Sequence, residues 1–133
     1  MKIFVDTNIF LDLILEREYY KESILILNAI DKNIFDGVVL DISLLNIDYI
    51  AKKQVKDIRE FIDLINKSFL VLGADNNSFT KALEIDNNDL EDNLQYVCAK
   101  NEKCELIITN DKSFYSNDIK LYTSYEFVKK YIK

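Results

Sequence analysis

Apolar positions along this chain follow two periods. Short, nearly continuous apolar runs stand at Ile3, Phe4, Val5, at Val38, Val39, Leu40, at residues 69–72, at Leu106, Ile107, Ile108 and at Leu121, Tyr122. Between them, apolar residues recur at helical spacing. The first run predicts a strand over residues 2–6, with Thr7 as N-cap of a helix that carries Ile9, Phe10, Leu13 and Ile14. A second helix is predicted over residues 19–30, and Gly37 predicts a turn into the second strand. Ser43 is expected to cap a helix reaching residue 53. An amphipathic run with Ile58, Phe61, Ile62, Leu64 and Ile65 then ends near Ser68. Ser78 is expected to cap a short helix to residue 85, and the polar segment 86–89 leads into a helix through Leu94, Val97 and Cys98. Thr123 or Ser124 is expected to cap a closing helix with Phe127, Val128, Tyr131 and Ile132. Strands alternating with helices predict an α/β fold, a parallel sheet covered on both faces. The continuous apolar character of residues 106–109 is that of a strand buried on both sides. No linker, low-complexity tract or repeat divides the chain, so residues 1–133 read as one domain.

Composition narrows the chemistry. A length of 133 residues suffices for one sizeable core, and 49% hydrophobic with 30% charged residues is globular rather than disordered. No apolar run is long enough to cross a bilayer, so no membrane partner is expected. The first residues reach Asp6 after a single lysine and lack the basic flank and apolar stretch of a signal peptide; a cytoplasmic location is the expectation. Cys98 and Cys104 have the spacing of neither a CxxC redox pair nor an ordinary zinc site, and read as plain thiols. The chain has no histidine, which removes the commonest general base, the commonest zinc ligand and every Ser-His or Cys-His nucleophile. Its 23 Asp and Glu residues point instead to oxygen ligation of a hard cation, Mg²⁺ or Mn²⁺. A net charge of −6 argues against non-specific duplex binding, while leaving room for a local basic rim.

Two predicted strands end in acids: Val5-Asp6-Thr7-Asn8 and Thr109-Asn110-Asp111. Strands of a parallel sheet point one way, so Asp6 and Asp111 are candidates to emerge at one rim, where α/β folds bind ligands. The competing account is helix capping, which Asp also favours. In Asn88-Asp89-Leu90-Glu91-Asp92-Asn93, Asp89 and Asp92 share one helical face if Asp89 starts the helix. Here too capping competes, with Asp92 reaching back as in a capping box. A different doubly wound domain, a phosphoacceptor or a carboxylate-based phosphatase with Asp6 as nucleophile, is a further alternative, but such phosphatases usually place a second aspartate two residues on, where this chain has Asn8.

Three segments together resemble a known family. Residues 3–12, Ile-Phe-Val-Asp-Thr-Asn-Ile-Phe-Leu-Asp, resemble the opening of PIN-domain ribonucleases, the fold of the VapC-type toxins. Residues 88–99 and residues 107–114 resemble the family's third and fourth acidic motifs, in the right order. The resemblance implies a PIN-like α/β/α sandwich and metal-dependent cleavage of RNA. It implies Asp6, Asp92 and Asp111 as metal-binding, catalytic carboxylates, Asn8 and Thr109 as supporting groups and Asp89 as an accessory acid. It also implies a cognate antitoxin and a homodimer. Aromatic Phe10, Tyr19, Tyr20 and Phe35 are candidate anchors for that dimer, although core packing is the more ordinary use of such residues. PIN nucleases usually carry a glutamate on the helix after the second strand, and Asn46 aligns there, an amide that can ligate a cation but brings no charge. Lys112, beside Asp111, is a candidate contact to an RNA phosphate, with Arg17, Lys52 and Lys53 as a candidate basic rim. A PIN-like domain that binds RNA or protein without cutting is the alternative that Asn46 favours.

Overall fold

A computed structural model describes residues 1–132. Five strands form one all-parallel sheet: β1 (Lys2–Val5), β2 (Asp36–Leu40), β3 (Leu70–Leu72), β4 (Leu106–Ile108) and β5 (Lys120–Tyr122), in the order β3-β2-β1-β4-β5. The helices are α1 (Thr7–Ile14), α2 (Tyr20–Asp31), α3 (Asp41–Ala51), α4 (Ile58–Ser68), α5 (Asn76–Glu84), α6 (Leu90–Asn101) and α7 (Ser124–Tyr131). The two-residue alternation of the central strands sorts the core into two layers. Ile3, Val5, Val39, Leu106 and Ile108 pack with apolar residues of α1, α2, α3, α4 and α7. Phe4, Val38, Leu40 and Ile107 point the other way, against α5 and α6. This is the expected α/β sandwich, with helices on both faces of the sheet.

Strand order positions the site. After β1 the chain builds outward through β2 and β3, then returns to lay β4 on the other side of β1, with Val5 opposite Ile108. The reversal leaves a crevice beyond the carboxyl ends of β1 and β4, where doubly wound sheets bind ligands. Asp6 leaves β1 at this crevice, and its backbone N–H continues the ladder to Ile108 O at 3.0 Å.

Several predicted helix starts and turns are corrected. Gly37 lies inside β2 rather than at a turn, because a Cβ there would fall 2.7 Å from Ile30 and from the Phe69 ring. Thr7 and Ser43 lie inside α1 and α3, where both are buried, and cap neither helix. Ser78 sits in the first turn of α5, and Asp75 is the cap, accepting from Ser78 N at 2.8 Å and from its Oγ at 2.9 Å. Thr123 caps α7 as expected, in a reciprocal capping box with Glu126. Both cysteines are buried and free. Phe10 is wholly buried edge-on to Phe69, and Phe35 packs edge-on to Phe127, so these two serve the core; Tyr19 is exposed.

Candidate metal centre

Asp6 stands at the N-cap position of α1, yet its side chain makes no capping bond. Its carboxylate turns into the crevice, where Thr109 Oγ1 donates to Oδ2 at 2.8 Å and Gln95 Nε2 donates to Oδ1 at 3.0 Å. Capping therefore does not account for Asp6. Burial pushes its carboxyl up to about 6, against the lowering effect of those two donors, and the charges of Glu91 and Asp111 add to the rise. Thr109 Oγ1 also accepts from Asp111 N at 3.1 Å, so one hydroxyl ties the two strand-end acids together.

Asp89, Asp92 and Asp111 converge across the same opening. Each offers a carboxylate oxygen, and these oxygens lie within 4.8 Å of one another. Asp89 is a true cap, accepting from Asp92 N at 3.0 Å. Asp92 does not reach back in a capping box: its Oδ1 accepts from Gln95 Nε2 at 3.4 Å, and its Oδ2 is buried with no donor among the described residues. Burial first, then the charge of Asp6, pushes the Asp92 carboxyl up to about 8. Asp111 moves the other way, held below the usual carboxylate range by Ser113, whose N and Oγ donate to Oδ1 at 2.9 Å and 2.8 Å. Three converging carboxylates, one carrying an orphaned buried oxygen, form a donor set suited to a hard divalent cation.

Around these acids lies a ring of neutral groups, of which Gln95 has no role in the sequence analysis. Gln95 is fully buried; besides its two donated bonds, its Oε1 accepts from Thr7 N at 3.3 Å. Its position three residues after Asp92 puts it on the same stripe of α6, and that spacing was the available signal. Asn46 Nδ2 donates to Glu91 Oε1 at 2.9 Å, and Thr7 Oγ1 donates to Glu91 Oε2 at 3.0 Å. Ser43 Oγ is 2.6 Å from Thr7 Oγ1. A carboxylate only accepts, so Thr7 spends its proton on Glu91 and Ser43 must donate to Thr7.

The remaining expected residues fall further out. Asn8 is exposed and has no hydrogen bond to the acids among the described residues, so it is not brought into the cluster. Lys112 is exposed beside Asp111 and lines a cleft of about 490 Å³ with Tyr19, Asn110 and Tyr125. Lys52 lies at the far end of α3 in a separate cavity with Lys56 and Arg59, and the charge of Arg17 acts on Asp12.

A family model described as PIN domain matches residues 2–113. Ribonuclease VapC1 of Aquifex aeolicus is 36% identical to this chain over 141 residues, covering 98% of it and 95% of the relative. The chain belongs to the PIN-domain family. Solved structures agree on the fold. A chain of VapBC2 from Rickettsia felis, crystallised with a DNA fragment from its promoter, superposes on this PIN domain with a TM-score of 0.68 at 16% identity, covering 92% of this chain and 98% of that one. A chain of a toxin-antitoxin complex from Klebsiella pneumoniae superposes with a TM-score of 0.70 at 20% identity, covering 93% and 98%. Where the resemblance expects a glutamate on the helix after the second strand, this PIN domain carries Asn46, whose amide turns to Glu91.

Proposed function

We propose that this PIN domain is a divalent-cation-dependent endoribonuclease acting as the toxin of a toxin–antitoxin pair, a single domain of residues 1–133 working in the cytoplasm. The observation that carries the reading is the convergence of the Asp89, Asp92 and Asp111 carboxylates, with Asp92 Oδ2 buried and without a donor among the described residues and the charge of Asp6 acting on Asp92. The ribonuclease relative supplies the reaction class. Asp6, Asp92 and Asp111 would hold Mg²⁺ or Mn²⁺, with Asp89 as an accessory acid. Such a cation, when bound, supplies Lewis acidity, activates water as the nucleophile and offsets the charge that builds on the phosphate.

The chain's own residues do the rest by geometry. Thr109 and Gln95 fix both oxygens of Asp6, so its carboxylate does not have to reorganise as the site loads. Burial pushes the Asp92 carboxyl up to about 8, so a cation held there would compete with its proton. Gln95 then places one amide between two negative groups and lessens their repulsion. With no imidazole anywhere, no side chain of the usual kind shuttles protons. Lys112 is positioned in the adjoining cleft to meet a neighbouring phosphate, and the exposed tyrosines Tyr19 and Tyr125 suit unstacked bases of single-stranded RNA.

An antitoxin partner is supported by the structural relative described as a toxin-antitoxin complex. Exposed Leu45 and Tyr49, one turn apart on α3, support a face covered by protein, either that partner or a second copy in a homodimer. The decisive assay is cleavage of RNA by the purified chain with Mn²⁺ or Mg²⁺, abolished by Asp6→Asn or Asp111→Asn. Cleavage that persists in EDTA, or in both variants, overturns the reading. A domain that binds without cutting, the alternative favoured by Asn46, shows binding and no cleavage in the same assay.

A further inference from the structure

Among the described residues beside the cluster, Glu91 has each of its two oxygens fixed by a donor from a different helix. Asn46 on α3 holds Oε1 at 2.9 Å and Thr7 on α1 holds Oε2 at 3.0 Å. Ser43 in turn fixes the Thr7 hydroxyl, so the aim of Glu91 is set by a relay of three neutral groups. Glu91 precedes Asp92 in the first turn of α6, and its bonds to Asn46 and Thr7 set its carboxylate against α3 and α1, close enough for its charge to act on Asp6. The opening is thus flanked by acids on its β4 side, from Asp111, and on its α3 side, from Glu91.

We infer that Glu91 is a fourth carboxylate of the proposed cation site, with Asn46 and Thr7 as positioning residues that aim it. The inference rests on the metal-dependent reading given above. An independent observation supports a ligand at this place: Asp92 is 5% exposed and its Oδ2 lies buried with no donor among the described residues, set against the Asp111 carboxylate, a second acceptor. Asn46 brings no charge of its own to the α3 side. Its amide sets the direction of a charge that arrives from α6 instead. A glutamate at position 46 would bring its own carboxylate close to where Glu91 Oε1 now lies, because the Asn46 amide nitrogen is already 2.9 Å from that oxygen.

A purely structural use of Glu91, as a tie between α1, α3 and α6, makes a different prediction. Glu91→Gln keeps an acceptor and the side-chain volume but removes the charge. Isothermal titration of the full chain with Mn²⁺ alone, with thermal melts in EDTA, separates the two. We expect Glu91→Gln to weaken Mn²⁺ binding at least about tenfold while the metal-free melting temperature is unchanged or higher, since a like charge has been removed. Asn46→Glu combined with Glu91→Gln is expected to recover affinity to within about threefold of wild type by returning the charge from α3. Mn²⁺ binding by Glu91→Gln equal to wild type overturns the inference alone, as does a folded double variant that binds no better than Glu91→Gln. If the double variant does not fold, Asn46→Ala decides: about threefold weaker binding supports an aimed Glu91, and unchanged binding overturns it. Absence of Mn²⁺ binding by wild type overturns the metal reading, and this inference with it.

Discussion

Gln95 donates its amide to Asp6 at 3.0 Å and also reaches Asp92 at 3.4 Å, so a single neutral side chain bridges two carboxyls that burial pushes well above the usual range. Replacing that donor with a third acid turns a bridge into a repulsion. Gln95→Glu is expected to destabilise the metal-free protein by about 2–4 kcal/mol at pH 8, read by urea denaturation in EDTA. The deficit should shrink at pH 5, where protonation removes the added charge. A deficit that is the same at both values would mean that packing, not charge, sets the role of Gln95.

Asp6 and Asp92 also impose a pH dependence on folding. Their folded carboxyls titrate near 6 and 8, above the ordinary aspartate value, so the folded chain holds more protons than the unfolded one across that interval. Stability contributed by these groups is present at acid pH and is lost as pH rises through the folded values. Asp92→Asn removes its share. The stability gap between Asp92→Asn and wild type in EDTA should therefore widen in favour of the variant by at least about 1 kcal/mol from pH 5 to pH 8. A gap that stays flat would show that Asp92 titrates at its ordinary value.

A bound cation reverses this penalty. Saturating Mn²⁺ is expected to raise the melting temperature by ~5 °C or more at pH 8 and by much less at pH 5, where protons compete for the same oxygens. Differential scanning fluorimetry with and without EDTA measures both, and an equal shift at the two pH values would place the cation elsewhere.

Lys112 stands outside the acid cluster. Lys112→Ala is expected to raise KM for RNA about threefold to tenfold while leaving Mn²⁺ affinity unchanged, because a phosphate contact supports binding more than ligation. Loss of Mn²⁺ affinity in this variant would assign it to the cluster instead.

Gly37 offers a test of the fold apart from the chemistry. Gly37→Ala places a methyl 2.7 Å from Ile30 and the Phe69 ring, and overpacking of this kind should cost about 1–3 kcal/mol in chemical denaturation. Unchanged stability would mean that the α2 and β3 side of the core yields easily.

Periodicity alone carried the strands and most helices, because buried parallel strands such as Ile3-Phe4-Val5 and Leu106-Ile107-Ile108 announce themselves as apolar runs. Caps were read less well. Ser43 and Ser78 have the chemistry of caps, but tertiary hydrogen bonds recruit Ser43 to Thr7, and Asp75 takes the cap that Ser78 was expected to fill. Gly37 resembled a turn because nothing local reports that Ile30 and Phe69 crowd it. At the candidate site, the converging acids Asp89, Asp92 and Asp111 and the neighbouring Asp6 were legible as helix-start and strand-end carboxylates. Gln95 was legible only through its spacing from Asp92, and Glu91 was not, since its partners Asn46 and Thr7 come from helices far away in the chain.

Thr109 and Asp6, joined by one hydrogen bond, are 103 residues apart in the chain. β1 meets β4 only once the chain has been made as far as Ile108, and such distant pairings close late. A ribosome making this protein therefore carries a nascent chain that has Asp6 but no assembled centre.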